Sequence, residues 1–453
     1  MIVKSASKHS AFWSQSVAGV VLAAALAATG CGNTYRPVVS SINPVGPAGQ
    51  ATKYAVVISN PSANAPGLVT FVDVFGDSVL VAANIDPVPQ YLQLDSSGGT
   101  GFTLHADGTM NSFTITTSLL TSQVLRTTLL PGANPISLSQ VAANTYVAEG
   151  GLSAVAQLTG SPPALQQEIP TGSNPVYTVG ANTATRVYAL SVGDKTAPGL
   201  ATPIETTSNT PDAPITVGVN PVYGVMTADT RRAFVMNKGS NSVSVINAQT
   251  NALDTFTNSS KVVTSTIPVG VAPVWADFAP TRSELLVANS GTGTSNGSVS
   301  IISIPLCSTT AVDNPNCDPA NPVDATGFGT TVATVPVGVN PIMIAVLQDG
   351  TKAYVANAGN VSAGIAGSIS VIDLNSNTVT ATLPAVSGDT NLLDTAVHGH
   401  PNWIAVTTGT PTGKVYVTAP DSTDMTVMRT DIDVVTAHIN LQGNGVAVRV
   451  TAP

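Results

Sequence analysis

His398 and His400 are the residues whose type and spacing most suggest chemistry. They share a polar stretch of chain with Asp389 and Asp394. Imidazole nitrogens together with a carboxylate can bind a metal ion, so His398, His400 and Asp394 are candidate ligands. The other histidines that follow the first thirty residues are His105 and His438. Because a structural zinc site usually needs about four ligands, this scarcity favours the alternative of a solvated loop without a metal.

Two further patterns resemble functional motifs. Gly293–Gly297 matches G-x-S-x-G, but a nucleophile elbow needs a helix after the serine, and in this chain strand-forming residues follow. The Asp and Asn cluster from Asp313 to Asp324 lacks the glycine and the closing glutamate of a calcium-binding EF-hand loop. The sequence contains no HExxH, Walker or Rossmann pattern. We therefore predict no catalytic residue and no cofactor.

The secondary-structure elements that would position functional residues can be predicted from the stretch between Val337 and Leu383. β-Branched and alternating segments are separated by Asp-Gly, Ala-Gly and Asn-Ser-Asn turns, which predicts four strands. These predicted strands are Ile342–Leu347, Lys352–Ala356, Ser368–Asp373 and Thr378–Leu383. A four-stranded antiparallel unit that recurs along a chain is typical of a propeller blade.

The sequence of this unit carries a family resemblance. AYVANAG followed by GSISVIDLNSNTVTATL is similar to the repeat of the YVTN-family β-propellers, and weaker copies begin at Ala233 and Leu285. The resemblance extends over about residues 215 to 385. It implies a propeller fold and a location outside the cytoplasm. The family has no single reaction that could be transferred to this chain.

Proline marks the start of each predicted first strand. The anchors lie 40 to 68 residues apart, at Pro89, Pro135, Pro175, Pro221, Pro273, Pro341 and Pro401. A propeller blade spans about 40 to 50 residues, and inserted loops explain the longer spacings. The segment from Lys53 to Ile85 resembles a blade without its first strand, and the strand from Gly445 would supply it. We therefore predict an all-β fold, a single propeller of eight four-stranded antiparallel blades over residues 53–453, closed by the C-terminal strand. Seven blades are the alternative.

Bulky residues recur two positions after the anchors. The residues at this position are Tyr91, Ser137, Tyr177, Tyr223, Trp275, Met343 and Trp403, with Gly445 as the expected counterpart in the closing strand. Because the first strand of a blade is innermost, Tyr91, Tyr177, Tyr223, Trp275, Met343 and Trp403 are candidate ligand-binding residues around the mouth of the central channel. The alternative is that they fill space between blades. In the blade from Pro341, alternation predicts that Ile342, Ile344 and Val346 pack between sheets, opposite Met343 and Ala345.

The first thirty residues have the layout of a secretory signal peptide. Lys4 and Lys8 precede an apolar segment of about a dozen residues, which is too short to span a bilayer. Ala28-Thr29-Gly30-Cys31 resembles a bacterial lipobox, in which the cysteine is lipidated. Because Ala28 stands where leucine is usual, ordinary cleavage near Ala27 is the alternative. Lipidation of Cys31 would make residues 31–52 a tether and anchor a secreted protein to the bacterial cell envelope.

Composition and the remaining cysteines agree with an extracytoplasmic location. The formal net charge is -9, and it becomes -11 without residues 1–30, which contain two lysines and no acid. The chain contains no basic run of the kind that nucleic acid requires, so we expect no nucleic-acid partner. In an oxidising compartment Cys307 and Cys317 are expected to form a disulfide; two free thiols are the alternative.

The sequence thus favours a non-catalytic surface lipoprotein. Its propeller would bind an envelope glycan, a small molecule or a protein, with the membrane contacted through the lipid. The alternative is a hydrolase similar to lactonase-type propellers, which would act at the channel mouth. A hydrolase needs a positioned base or a metal-bound water, and only the stretch around His398 offers such groups.

Overall fold

A computed structural model describes residues 52–257, 260, 262–305, 327–386, 394–407 and 413–451. The part of the chain that carries the fold is one compact unit, Ala51–Pro453. It consists of small antiparallel sheets arranged as an eight-bladed β-propeller, which confirms the predicted fold class. No helix in these described ranges is long and apolar enough to cross a membrane.

The blades follow one another along the chain, and each consists of strands ordered from the innermost outwards. Blade 1 contains β37 (Asn444–Val450), β1 (Tyr54–Asn60), β2 (Gly67–Asp73) and β3 (Ser78–Ile85). Blade 2 contains β4 (Pro89–Leu94), β5 (Thr100–His105), β6 (Thr109–Thr114) and β7 (Leu125–Thr128), with helix α1 (Ile115–Thr121) before β7. Blade 3 contains β8 (Pro135–Val141), β9 (Asn144–Glu149), β10 (Ala154–Thr159) and β11 (Ala164–Pro170).

Blades 4 and 5 have a divided outer strand. Blade 4 contains β12 (Pro175–Val179), β13 (Arg186–Ser191), β14 (Pro198–Glu205), β15 (Thr210–Pro211) and β16 (Ile215–Val219). Blade 5 contains β17 (Pro221–Met226), β18 (Arg232–Asn237), β19 (Ser242–Asn247), β20 (Ala252–Leu253) and β23 (Thr266–Pro268). A separate pair, β21 (Phe256–Thr257) and β22 (Val263–Thr264), lies in the connection between β20 and β23.

Blades 6 to 8 complete the ring. Blade 6 contains β24 (Pro273–Ala279), β25 (Glu284–Asn289), β26 (Asn296–Ser303) and β27 (Thr330–Val339), with a 3-10 turn at Pro280–Arg282. Blade 7 contains β28 (Pro341–Val346), β29 (Lys352–Asn357), β30 (Ser368–Asp373), β31 (Thr378–Val386) and β32 (Val397–His398), with a 3-10 turn at Val361–Ala363. Blade 8 contains β33 (Trp403–Val406), β34 (Lys414–Thr418), β35 (Asp424–Arg429) and β36 (Val434–Asn440).

The closing strand is where the sequence predicted it. β37 pairs antiparallel with β1, so the last strand of the chain is the innermost strand of the first blade. This pairing gives blade 1 its innermost strand and closes the ring, so that only short, protected sheet edges remain. One hydrophobic cluster of the described residues fills each of the eight blade interfaces. The cluster of Tyr416, Met425, Val57 and Val448 joins blade 8 to blade 1.

The anchor prolines start the innermost strands of blades 2 to 7, as predicted. Proline has no N–H to leave unpaired there, and its fixed φ suits the first residue of a strand. The asparagine before the proline adopts a left-handed conformation at Asn134, Asn174, Asn220 and Asn340, with φ from 47° to 55°. Asparagine tolerates this region better than most residues, which explains the repeated Asn-Pro pair.

A bulge after the proline corrects one prediction about packing. The pairing register of β28 with β29 shifts between Pro341 and Met343. Ile342 therefore packs with Met343 and Ala345 between blades 7 and 8, while Ile344 and Val346 pack between blades 6 and 7. Ile344 and Val346 do lie opposite Met343 and Ala345, but the prediction that Ile342 shares their side was wrong, because the bulge interrupts the alternation before Met343.

The asparagine of the repeat motif supports the sheet from within. Asn357, at the end of β29, is fully buried, and its Nδ2 donates hydrogen bonds to Ser368 Oγ at 3.1 Å and Ser370 Oγ at 2.9 Å. Asn237 and Asn289 bond in the same way to two serines of their own third strands. Burial of an unpaired amide would be unfavourable, so asparagine and the alternating serines occur together.

Candidate functional site

The bulky residues two positions after the anchors meet at the axis of the propeller. Tyr177 and Tyr223 have ring centroids 4.7 Å apart, Tyr223 stacks on Trp275 at 4.0 Å, and Trp275 meets Trp403 edge-on at 5.6 Å. Tyr91 then meets Trp403 edge-on at 6.1 Å. These five rings come from blades 2, 4, 5, 6 and 8, so they span the channel. We call them the aromatic layer.

The aromatic layer also contributes to the core. Tyr91 and Tyr223 are less than one-tenth exposed, and each belongs to a hydrophobic cluster between two blades. Met343 lies in the cluster between blades 7 and 8. Trp403 packs against four different clusters, which places it near the centre of the ring. Packing and lining of the channel, which the sequence analysis treated as alternatives, therefore occur together.

The counterpart of this position in the closing strand is Ala447 and not Gly445. Gly445 pairs with Ser59 and Ala447 pairs with Ile58, with the register shift between these two pairs. The same shift separates Pro221 from Tyr223 in blade 5. Gly445 therefore corresponds to the anchor proline, and the sequence prediction was wrong by two residues because no proline marks this strand.

Polar residues lie two positions further along the innermost strands. Arg449 of β37 donates from Nε to the main-chain oxygen of Leu92 at 3.3 Å and from Nη2 to Gln93 Oε1 at 3.2 Å. Its guanidinium also lies 4.9 Å from the ring centroid of Trp403, a cation–π distance. Arg449 thus joins blade 1 to blade 2 and brings a positive charge next to the aromatic layer.

A cavity of about 350 Å³ occupies the channel beside these residues. Its wall includes the phenols of Tyr91, Tyr177 and Tyr223 and the side chains of Gln93 and Arg449. It continues past Gln140 and Asn182, which follow or end the innermost strands. The cavity therefore reaches the face of the ring where the innermost strands end. Of the six residues predicted around the channel mouth, Tyr91, Tyr177 and Tyr223 line this cavity, whereas Trp275, Met343 and Trp403 are not part of its wall.

Tyr177 and Tyr223 are neutral hydrogen-bond donors in the cavity. Burial raises the pKa of Tyr177 well above its usual range, and the neighbouring phenols of Tyr223 and Tyr91 add to that rise. Burial likewise raises the pKa of Tyr223, although the positive charge of Arg449 opposes the change. Each phenol can therefore donate a hydrogen bond to an oxygen or nitrogen of a ligand throughout the physiological range.

Asp277 is an acid beside the cavity: its neighbour Phe278 lines the cavity, whereas Asp277 itself does not. Burial raises its pKa to about 6, while hydrogen bonds from the main-chain N–H groups of Val346 and Phe278, and the charge of Arg449, act in the opposite direction. Both N–H groups lie 2.9 Å from its carboxylate oxygens. Asp277 therefore changes its charge near neutral pH inside the propeller.

The histidine pair of the sequence analysis is divided by the structure. His400 bonds to Asp421, with Nδ1 at 2.7 Å from Oδ2. His398 instead lies 3.2 Å from Asp394, through Nε2 and Oδ1, and its ring stacks at 3.7 Å on that of His438. The sequence analysis counted His438 only as a sign that histidines are scarce, but the outer strand of blade 8 brings it to this loop.

Other sequence predictions have plain outcomes. Gly293 to Ser295 lie in the turn before β26, and Asn296 and Gly297 begin that strand, so no helix follows the serine and the nucleophile-elbow pattern is accidental. Cys31, Cys307, Cys317, Asp389 and residues 1–50 lie outside the described residues. The signal peptide, the lipidation and the disulfide remain predictions.

Sequence reasoning missed Arg449, Asp277 and His438. The sequence did contain a signal for Arg449 and Asp277. When the innermost strands are aligned by their bulges, each lies two residues after the position that carries a bulky residue in most blades. No signal marked His438. Its neighbours come from other parts of the chain, and only the closed blade brings them together.

Comparison with known proteins supports the fold. No protein-family model and no curated sequence matches the chain. Among solved structures, apo AztD from Citrobacter koseri is 11% identical with a TM-score of 0.55, covering 88% of this chain and 97% of that one. The dihydro-heme d1 dehydrogenase NirN, solved with DHE, is 13% identical with a TM-score of 0.59, covering 89% and 77%. The hydrazine synthase of Kuenenia stuttgartiensis is 15% identical with a TM-score of 0.50, covering 71% and 90%. At these identities the likeness shows the fold alone.

Proposed function

We propose that this protein is a non-catalytic binding protein whose propeller holds a small polar ligand in the channel cavity. The observation that carries the proposal is a cavity of about 350 Å³ whose wall includes three tyrosines, Gln93 and one guanidinium, that of Arg449. Its volume lies within the range of about 300 to 1,000 Å³ that is usual for small-molecule sites. Aromatic surface with a few oriented donors suits a sugar or another oxygen-rich molecule.

The ligand is expected to contribute acceptors. Tyr177 and Tyr223 can donate from their hydroxyls. Arg449 has five N–H donors, and two of its nitrogens already donate to Leu92 and Gln93. A carbonyl, carboxylate or ring hydroxyl directed at Arg449 would complete these bonds. An envelope glycan fragment or a small carbonyl compound fits this chemistry better than an apolar molecule does.

The test is a titration of intrinsic fluorescence with glycan fragments, lactones and small carboxylates. Trp275 stacks on Tyr223 and Trp403 meets Tyr91, and both tyrosines line the cavity, so a ligand there should change the tryptophan emission. We expect a saturable change that weakens at least tenfold in Arg449→Gln. Arg282→Gln, a change at an arginine outside the cavity, is the matched control and should bind normally. A response unaffected by Arg449→Gln, or none across the panel, would contradict the proposal.

A hydrolase is the second candidate, and Asp277 is the observation that favours it. A carboxyl group with a pKa of about 6 can act as a general base or acid near neutral pH. The same titrations therefore include chemical identification of the recovered compound. An unchanged ligand supports binding, whereas an opened lactone whose formation is lost in Asp277→Asn would replace the binding proposal with hydrolysis.

We further propose that the protein is secreted and anchored to the bacterial cell envelope through Cys31. The support is the basic and apolar N-terminal sequence and the lipobox-like Ala28–Cys31, together with the acidic, low-charge composition. Fractionation of cells that express Cys31→Ser tests this location. The variant should leave the membrane fraction, and its retention there would count against lipidation.

A further inference from the structure

We propose that Asp394, His398 and His438 form a binding site for a divalent transition-metal ion, with Zn²⁺ as the expected ion. The site lies between blades 7 and 8 and shares no residue with the proposed ligand cavity. It requires neither the cavity nor its ligand. The proposal rests on the convergence of three ligand atoms and on the partners that hold the two imidazoles.

The three potential ligand atoms converge on one point. Nε2 of His398 lies 3.2 Å from Asp394 Oδ1, and Nε2 of His438 lies 3.3 Å from the same oxygen. All three atoms lie within 4.8 Å of one another. Two imidazole nitrogens and one carboxylate oxygen suit Zn²⁺ and its neighbours in the first transition row, whereas Mg²⁺ and Ca²⁺ prefer oxygen ligands alone.

A second set of contacts orients both histidines. Nδ1 of His398 lies 3.1 Å from Asp424 Oδ2, and the Asp424 side chain is 1% exposed. Nδ1 of His438 lies 3.3 Å from Thr426 Oγ1, which also accepts a hydrogen bond from the main-chain N–H of His398. A carboxylate or hydroxyl that holds the Nδ1 proton leaves the lone pair of Nε2 for a metal, as is common behind metal-binding histidines.

Burial makes this arrangement costly without an ion. Both histidine side chains are fully buried, and Nε2 of His438 has the 3.3 Å contact with Asp394 Oδ1 but no well-aligned hydrogen bond among the described residues. The rings are nearly parallel, with an angle of 8° between their planes. A bound metal would satisfy this nitrogen and would balance the charges of Asp394 and Asp424. The rings must tilt apart for their lone pairs to meet at one ion.

The site has a route of entry and a structural consequence. The Asp394 side chain is 30% exposed, so an ion can enter from the carboxylate side, and water can complete the coordination. His398 belongs to β32, which pairs in parallel with β31 of blade 7, whereas His438 belongs to the outer strand of blade 8. A metal ion would therefore join two neighbouring blades and stabilise the ring.

The test is titration of the purified, metal-stripped protein with Zn²⁺ by calorimetry, alongside the visible absorption of bound Co²⁺. We expect one ion per chain, a tetrahedral Co²⁺ spectrum and a rise in melting temperature. Affinity should fall at least tenfold in His438→Gln and Asp394→Asn. His400→Gln is the matched control, because His400 lies in the same loop but bonds to Asp421. It should bind like the wild type.

Several outcomes would overturn the proposal. These are the absence of saturable Zn²⁺ binding, equal loss of affinity in His400→Gln, or an octahedral Co²⁺ spectrum. If His438→Gln does not fold, X-ray absorption of the wild-type Zn²⁺ complex decides the matter, since two imidazole ligands are expected and fewer would contradict the site. The glycan and lactone titrations can fail without affecting this result, and the reverse also holds.

Discussion

Glu149 shows how one residue changes the stability of a blade. It occupies in blade 3 the position that Asn237, Asn289 and Asn357 occupy in blades 5 to 7, and it is fully buried. Burial and the adjacent Glu168 raise the pKa of Glu149 to about 9, and burial raises that of Glu168. The Glu149 carboxyl group of the native protein therefore keeps its proton at pH values at which the unfolded chain releases it.

The sign of the pH effect follows from the raised pKa. Between the ordinary value of 4.5 and about 9, the native state binds more protons than the unfolded state, so the free energy of unfolding falls as pH rises. Glu149→Gln removes this dependence. We expect the variant to be more stable than the wild type by about 1–3 kcal/mol near pH 8, with little difference near pH 4. Urea unfolding at both pH values measures it.

A control separates this effect from loss of charge in general. Glu284 is also buried, but its carboxylate bonds to Arg282 at 2.9 Å, so Glu284→Gln should not stabilise the protein near pH 8. A Glu149→Gln variant that is less stable than the wild type at high pH would show that the buried carboxyl group is not protonated in the native state.

Tyrosines in the second strands of blades 7 and 8 connect each of these blades to the next. The hydroxyl of Tyr354 donates a 2.6 Å hydrogen bond to Asp433, which has φ of 53° in the turn between the outer strands of blade 8. Tyr416 of blade 8 bonds in the same way to Asp77 of blade 1 at 3.3 Å, so this contact also crosses the ring closure. Lys352 and Lys414 bond to the same two aspartates.

Tyr188 provides an internal control for this contact. It holds the corresponding position in blade 4, but its buried hydroxyl has no hydrogen-bond partner among the described residues. Tyr354→Phe should therefore lower the free energy of unfolding by about 1–3 kcal/mol, while Tyr188→Phe should be neutral or slightly stabilising. Chemical denaturation of both variants measures the difference. Equal effects would contradict the role of the turn aspartate.

The elements could be predicted from sequence better than their contacts. Ser368–Asp373 agrees with the predicted strand, and the predicted strand from Thr378 is extended to Val386 in the structure. Period-two alternation and turn residues are local signals, so they survive in a single sequence. The bond from Tyr354 to Asp433 joins residues 79 positions apart, and no local pattern marks such a pair.

At the scale of the whole molecule, closure depends on one short strand. β37 supplies the innermost strand of blade 1, and its Arg449 reaches blade 2. Deletion of residues 444–453 should therefore lower the melting temperature of the entire propeller by about 10 °C or more. The expected loss in the free energy of unfolding is several kcal/mol, and each kcal/mol shifts the melting temperature by at most about 2–4 °C. Deletion of residues 452–453 alone is the control. Unchanged thermal unfolding after the longer deletion would contradict closure by β37.

The propeller ring could be predicted because its repeat is visible in the sequence, whereas the candidate ligand site could be predicted only in part. The anchors located Tyr91, Tyr177, Tyr223, Trp275 and Trp403 on innermost strands, and the structure places all five at the axis. The position of these side chains along the channel axis depends on bulges and on the size of opposing residues. Periodicity therefore indicated which residues meet at the axis but did not indicate that only the three tyrosines among them line the cavity.

The central claim is that the channel cavity beside the aromatic layer is the ligand site. The most direct measurement is a crystal structure of the protein soaked with the tightest-binding compound from the fluorescence panel. We predict difference density within the cavity, with polar atoms in hydrogen-bond contact with Arg449 and with Tyr177 or Tyr223. Density only on the outer loops, with water alone between the tyrosines and Arg449, would contradict the account.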